Sequence, residues 1–162
     1  MGKARCGGCH FAPLFNGTVP PAYERSEVEI LGTIERFDTV RPRLDADPGR
    51  GPIVRIDIHH HAFKTPTLRN VALTAPYMHN GGLRTLEEVI EFYDRGGGKG
   101  MGVPIERQTL PADRLDLTLD EKRDLVAFMH ALTDTTGLAQ KPASLPSIAG
   151  AHGRARRSGG RY

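Results

Sequence analysis

Cys6-Gly7-Gly8-Cys9-His10 places both cysteines of the chain in a C-x-x-C-H run. Two thiols at that spacing can form thioethers with the edge of one porphyrin, and the imidazole of the next residue then reaches the iron. The pattern predicts one covalent haem c, with His10 as proximal iron ligand, and therefore a redox protein. A C-x-x-C pair also serves as a redox dithiol or as half of a zinc site. A dithiol has no need of His10, and zinc would need two further ligands at matching spacing. The run His59, His60 and His61 offers imidazoles, but neighbouring side chains on an extended run point to opposite faces. Haem c is the better reading.

The ligand on the other face of the iron decides between two chemistries. Met or His gives an electron-transfer centre, whereas Tyr or an open position favours oxidising chemistry. Met78, Met101, Met129 and Tyr93 are the candidates. Met129 falls on the apolar stripe of a helix, where core packing explains it. Met101 sits among glycines, and Met78 sits in the polar run Pro76-Tyr77-Met78-His79. Tyr93 shares a helical face with Leu86, Val89 and Ile90; a buried Tyr often does no more than find a hydrogen-bond partner. Spacing alone favours a methionine.

The elements that must position these residues are mostly helices and loops. Thr85 with Glu88 and Thr118 with Glu121 are two capping boxes that open helices. Leu86, Val89, Ile90 and Tyr93 form one helical face, and Leu125, Phe128, Met129 and Leu132 form another. Gly96-Gly97-Gly98 stops the first helix, and Gly137 the second. Residues 101–117 form a Pro-containing connection long enough to be packed on something. Residues 11–52 are rich in turns; residues 27–32 suit a short helix or strand, and residues 53–58 alternate like a brief strand.

Composition agrees with a cofactor-centred fold. The chain has 162 residues, 38% hydrophobic and only 6% aromatic, with no Trp, which is lean for one domain of this length. A buried haem would supply missing apolar volume. The net charge of +3 is partly local, since Arg154, Arg156, Arg157 and Arg161 crowd the C-terminus. The expected organisation is a mainly α, cytochrome c-like haem domain with long loops over residues 1–136, and a disordered basic tail over residues 137–162. A nucleic-acid role for the tail is disfavoured. No stretch is long and apolar enough to span a bilayer. Haem c predicts a periplasmic location, yet no signal peptide precedes Cys6. The short run Met1 to Arg5 also leaves no room for the helix that usually precedes such a motif. These points lead to the expectation of a fragment, or of a true start upstream.

Residues 63–82, FKTPTLRNVALTAPYMHNGG, resemble the signature of the bacterial di-haem cytochrome c peroxidases, shared with their methylamine-utilisation (MauG-like) branch. Residues 6–17 resemble the second haem-attachment segment of that family, and the helix at 85–95 and the segment 115–133 continue the likeness. The resemblance implies the carboxy-terminal haem domain of a di-haem oxidoreductase. It also implies that the distal ligand comes from the helix after the Thr-x-Pro turn, Met in one branch and Tyr in the other. That position falls on Tyr93, seventeen residues after Pro76, which displaces the methionine preference and leaves Met78 as the competing iron ligand.

The same resemblance implies a calcium ion held partly by the backbone oxygens of Thr74 and Pro76, and an arginine near the haem, Arg69, able to pair with a propionate. The family has two C-x-x-C-H motifs and reduces peroxide at the other haem, whereas this chain has one. The implied function is passage of electrons to or from a second haem domain or redox protein, with hydrogen peroxide reached indirectly. A mono-haem electron carrier without catalysis is the alternative, and a fragment that never acquires haem is a third reading. His59, His60 and His61 fall outside the signature and read as exposed and weakly metal-binding.

Overall fold

The structure, a computed structural model, describes residues 2–18 and 27–136; the expected disordered tail lies outside the described residues. Thr118 opens the longest helix, α4 (Leu119–Ala131). Its hydroxyl accepts from the Glu121 N–H, and the Glu121 carboxylate accepts from the Thr118 N–H, which completes the capping box. Thr85 starts α2 (Leu86–Asp94) in the same way, accepting from the Glu88 N–H at 3.2 Å. Here the Glu88 carboxylate instead reaches the Arg84 N–H at 2.6 Å, so the expected box is half formed. Two further short helices, α1 (Gly51–Val54) and α3 (Gly97–Gly100), and three single 3-10 turns complete the helical content among the described residues.

Helix α2 is the central element, because it is buried on two sides. Leu86 and Ile90 pack with Met129 of α4, with Leu117, Leu125 and Val126 around them. Phe92 on the opposite side has no exposed surface and packs with Ile34, Leu83 and Val103. These last residues come from loops. Phe92 and the buried Asp94 escape the helical stripe read from spacing, since that stripe assumes a single buried face.

Asp94 is the charged centre of the α2–α4 contact. Its carboxylate lies 2.7 Å from Lys122 Nζ and 3.3 Å from Arg114 Nη2, and accepts from the Leu117 N–H at 2.9 Å. Lys122 also reaches Glu91 at 2.6 Å. Burial pushes the Asp94 carboxyl up, but Lys122, the Leu117 N–H and Arg114 outweigh it and hold it below the usual carboxylate range. The Leu115 N–H donates to the Asp94 carbonyl at 2.9 Å, so Leu115 and Leu117 together dock the end of the 101–117 connection onto α2. Val103 and Ile105 are buried, and Gln108 bonds to the backbone of Gly96, Lys99 and Leu110. The connection is packed, as expected.

Two expectations are corrected. Residues 53–58 are no strand: Pro52 stands in the first turn of α1, and a 3-10 turn follows at Asp57–His59. Ile53, Ile56 and Ile58 are 82%, 47% and 57% exposed, so the alternation has no face to bury. The strand comes later, as β2 (Phe63–Lys64), paired antiparallel with β1 (Val28–Glu29) through Val28–Lys64 and Glu29–Phe63. The second correction concerns class. Helices are the largest regular elements, yet turns and loops make up more of the described chain than helix does, so "mainly α" holds only loosely. The glycine run does end α2, with Gly96 at φ 83°, but it then continues into α3. A Cβ on Gly98 would run into the Gly32 carbonyl, so this contact needs glycine. No helix among the described residues is long and apolar enough to cross a membrane.

Candidate haem-attachment site

Cys6–Gly8 is a 3-10 turn. It places two thiols one turn apart, Cys6 exposed and Cys9 half-buried, with no disulfide between them. The His10 N–H donates to the Cys6 carbonyl at 3.0 Å, which sets the ring next to the turn. The His10 ring Nδ1–H donates to the Phe15 carbonyl at 3.0 Å. That bond fixes the tautomer and leaves Nε2 with a lone pair, as a metal-ligating imidazole requires. Burial lowers the His10 pKa, against the opposing pull of the Phe15 and Pro66 carbonyls and the Glu29 charge. The ring is neutral at pH 7.

The signature segment holds this attachment loop in place. The Phe15 carbonyl that orients His10 also accepts from the Leu68 N–H at 3.0 Å. Thr67 donates its hydroxyl to the Leu14 carbonyl at 2.5 Å. Arg69 donates both Nε and Nη2 to the Pro13 carbonyl, at 3.1 and 2.7 Å, and its guanidinium lies 5.5 Å from the Phe15 ring centre. Phe15 meets Phe128 of α4 edge-on at 5.6 Å. Two of the three guanidinium nitrogens are thus engaged by the protein. This loop-clamping role of Thr67, Leu68 and Arg69 had no separate signal in the sequence.

Tyr93, Met78 and Met101 all lean on the core cluster of Phe92, Ile34, Leu83 and Val103. Tyr93 is half-buried. Burial raises the pKa of its phenol strongly, and negative charge on Cys6, Cys9 and Glu29 would raise it further. Met78 lies in a left-handed backbone conformation, φ 67°, inside a braced turn. Around it Tyr77 and Leu83 pair, His79 stacks on Phe63 at 3.5 Å, and Asn80 and His79 both bond to Asp45.

Thr74 and Pro76 sit on an exposed turn. Among the described residues no three His, Cys, Asp or Glu side chains cluster as a metal site, and that includes the His59–His61 run. His60 and His61 instead line a cleft of about 470 Å³ with Asp57 and Glu106. A second cleft of about 630 Å³ lies between α2 and α4. Neither holds Cys6, Cys9, His10 or Tyr93. Glu29, beside Cys9, is a site residue that sequence reasoning missed.

No family model matches the chain. It is 35% identical over 159 residues to the cytochrome-c peroxidase IdrP1 of Denitromonas iodatirespirans, covering 90% of this chain and 41% of that protein. It is 32% identical over 133 residues to the methylamine utilization protein MauG of Methylorubrum extorquens, covering 81% of this chain and 31% of that one. The cytochrome c551 peroxidase of Nitrosomonas europaea matches at 30% identity, covering 79% and 30%. The chain thus spans between 30% and 41% of the length of these curated relatives. A crystal structure of a MauG-like protein associated with microbial copper homeostasis superposes with a TM-score of 0.60 at 29% identity, covering 85% of this chain and 45% of that one.

Proposed function

The chain belongs to the family of the bacterial cytochrome c peroxidases and MauG proteins, and from that premise we propose that it is a haem c-binding redox domain of a peroxidase-like oxidoreductase, passing electrons to or from a second haem. The observation that carries the reading is the His10 ring, held by Nδ1 to Phe15 beside the thiols of Cys6 and Cys9. The donor set fits haem c: Cys6 and Cys9 would form the thioethers, and His10 Nε2 and the Tyr93 phenol would be the protein ligands to the iron. Asn16 Oδ1, Thr18 Oγ1 and Thr65 Oγ1, on the segments that hold His10, are buried without a partner and could meet the polar edge of a cofactor. Bound there, haem would supply one-electron redox chemistry. His10 would keep a fixed orientation through Phe15, whose carbonyl Leu68 pins in turn. A Tyr93 phenolate, disfavoured by burial, would be stabilised by a ferric centre.

The reading extends to a calcium ion on the Thr74 and Pro76 carbonyls, since hard backbone oxygens suit it. It also extends to a periplasmic location, where haem c is normally attached. Pairing of Arg69 with a propionate would use the nitrogen not bound to Pro13. The alternative reading is a mono-haem electron carrier, which needs no more than the one C-x-x-C-H of this sequence.

Expression with a targeting leader and haem-maturation machinery tests both. Optical and EPR spectra before and after peroxide should show covalent haem without a methionine charge-transfer band. Tyr93→Phe should change the spin state, and Met78→Leu should not. A methionine band abolished by Met78→Leu, on a peroxide-inert protein, would favour the carrier. Failure to attach haem at all would remove both readings.

A further inference from the structure

Strand β1 does more than pair with β2. Its last residue, Glu29, is half-buried, and its Oε1 accepts from the Cys9 thiol at 3.3 Å. Its charge bears on the two residues proposed to flank the iron, His10 and Tyr93. Among the described residues no Lys or Arg pairs with it, although Arg50 pairs with the nearby Glu27 at 3.2 Å. The position is imposed by the ribbon: the register Glu29–Phe63 ties this carboxylate to the start of the same segment that clamps the attachment loop. A half-buried carboxylate on a two-residue ribbon, beside a thiol and paired with no cation among the described residues, asks for an electrostatic role.

We propose that Glu29 is a positioning residue for the redox centre, supplying a fixed negative charge beside the Cys9 attachment point that favours the ferric over the ferrous state. The inference rests on the reading of Cys6, Cys9 and His10 as a haem c site. The physical argument is simple. Reduction by an external one-electron donor adds one electron to the centre and removes one positive charge. A nearby anion in a medium less polar than water stabilises the more positive state. Local charge, hydrogen bonding and solvent exposure are known levers on the potential of bound iron.

The test uses the full holo-chain and a mediated spectroelectrochemical titration. Glu29→Gln keeps the shape and removes the charge. At the wild-type midpoint its ferrous-to-ferric ratio should rise roughly tenfold, equivalent to about 59 mV for one electron. Glu27→Gln, two residues away and already paired with Arg50, should leave the ratio within twofold. Glu29→Asp, which keeps the charge but withdraws it by one methylene, should raise the ratio only about two- to threefold, an intermediate shift that a merely structural role would not predict. A Gln variant that retains covalent haem and moves the ratio less than twofold overturns the proposal while leaving the haem c reading intact. If the Gln variant does not hold haem, Glu29→Asp decides alone: withdrawing the charge by one methylene should still raise the ratio at least twofold, and an unmoved ratio overturns the proposal. A wild-type chain without covalent haem defeats the parent reading and this inference with it.

Discussion

Arg69 shows how a single residue acquires its role from two others. The Pro13 carbonyl accepts from two of its nitrogens, and the face of Phe15 receives its charge. A fork of two bonds to one oxygen needs the planar guanidinium, which an ammonium cannot reproduce. Arg69→Lys and Arg69→Ala should each destabilise the attachment loop, the Ala variant by about 1–2 kcal/mol given the exposure of the side chain. Amide hydrogen exchange checks this: the Phe11 and Leu68 amides, which close on Asn16 and Phe15, should exchange faster, while those of α4 should not. Unchanged exchange would leave Arg69 without a clamping role. The cysteines and His10 needed no such context to be found, because their spacing is itself the chemistry.

Between elements, the α2–α4 contact turns on one ion cluster. Lys122 serves Glu91 and Asp94 together. Lys122→Met would leave the buried Asp94 carboxylate short of a partner, at a cost of about 3 kcal/mol near neutral pH. Lys122 and Arg95 hold the Glu91 carboxyl low despite burial, and Asp94 is also held low. Their contribution is therefore full above the ordinary carboxylate pKa of about 4 and is lost as pH falls through the lower folded-state values. Urea unfolding should show the gap between wild type and Lys122→Met shrinking from pH 7 to pH 3. A gap independent of pH would contradict the ionic account. Packing sets a second limit. Gly98→Ala would press a methyl group against Gly32, so α3 should shift and the midpoint of unfolding should fall, by about 1–3 kcal/mol or more.

At the scale of the whole molecule, the core is small. Eleven apolar residues are buried among the described ones, ten of them in three separate clusters, and the attachment loop reaches α4 through the Phe15–Phe128 edge and the Lys3–Glu121 pair. A covalently attached haem stays on the chain when it unfolds, but only the native state buries it, so such a fold gains from the apolar surface the haem takes out of water. The double variant Cys6→Ala, Cys9→Ala should carry no covalent haem on a denaturing gel stained for haem. Its thermal midpoint should lie about 10 °C below that of the holo-chain, corresponding to about 3 kcal/mol. Equal midpoints would mean that the cofactor is no part of the core.

The sequence alone determined the C-x-x-C-H run, both helix starts and the likeness to the peroxidase and MauG relatives. All of these depend on residue type at short fixed spacing, which the chain carries locally. Helix α2 was legible as an element, but its second buried side at Phe92 was not, because loops far away in the chain cover it. The supposed strand at 53–58 failed for the converse reason: alternation signals a strand only where one face is buried. Only the tertiary structure brought Glu29 to Cys9, Arg69 to Pro13 and Lys122 to Asp94, pairings separated by 20, 56 and 28 residues along the chain. Charge and hydrogen bonding act through space, so neither period nor motif announces them.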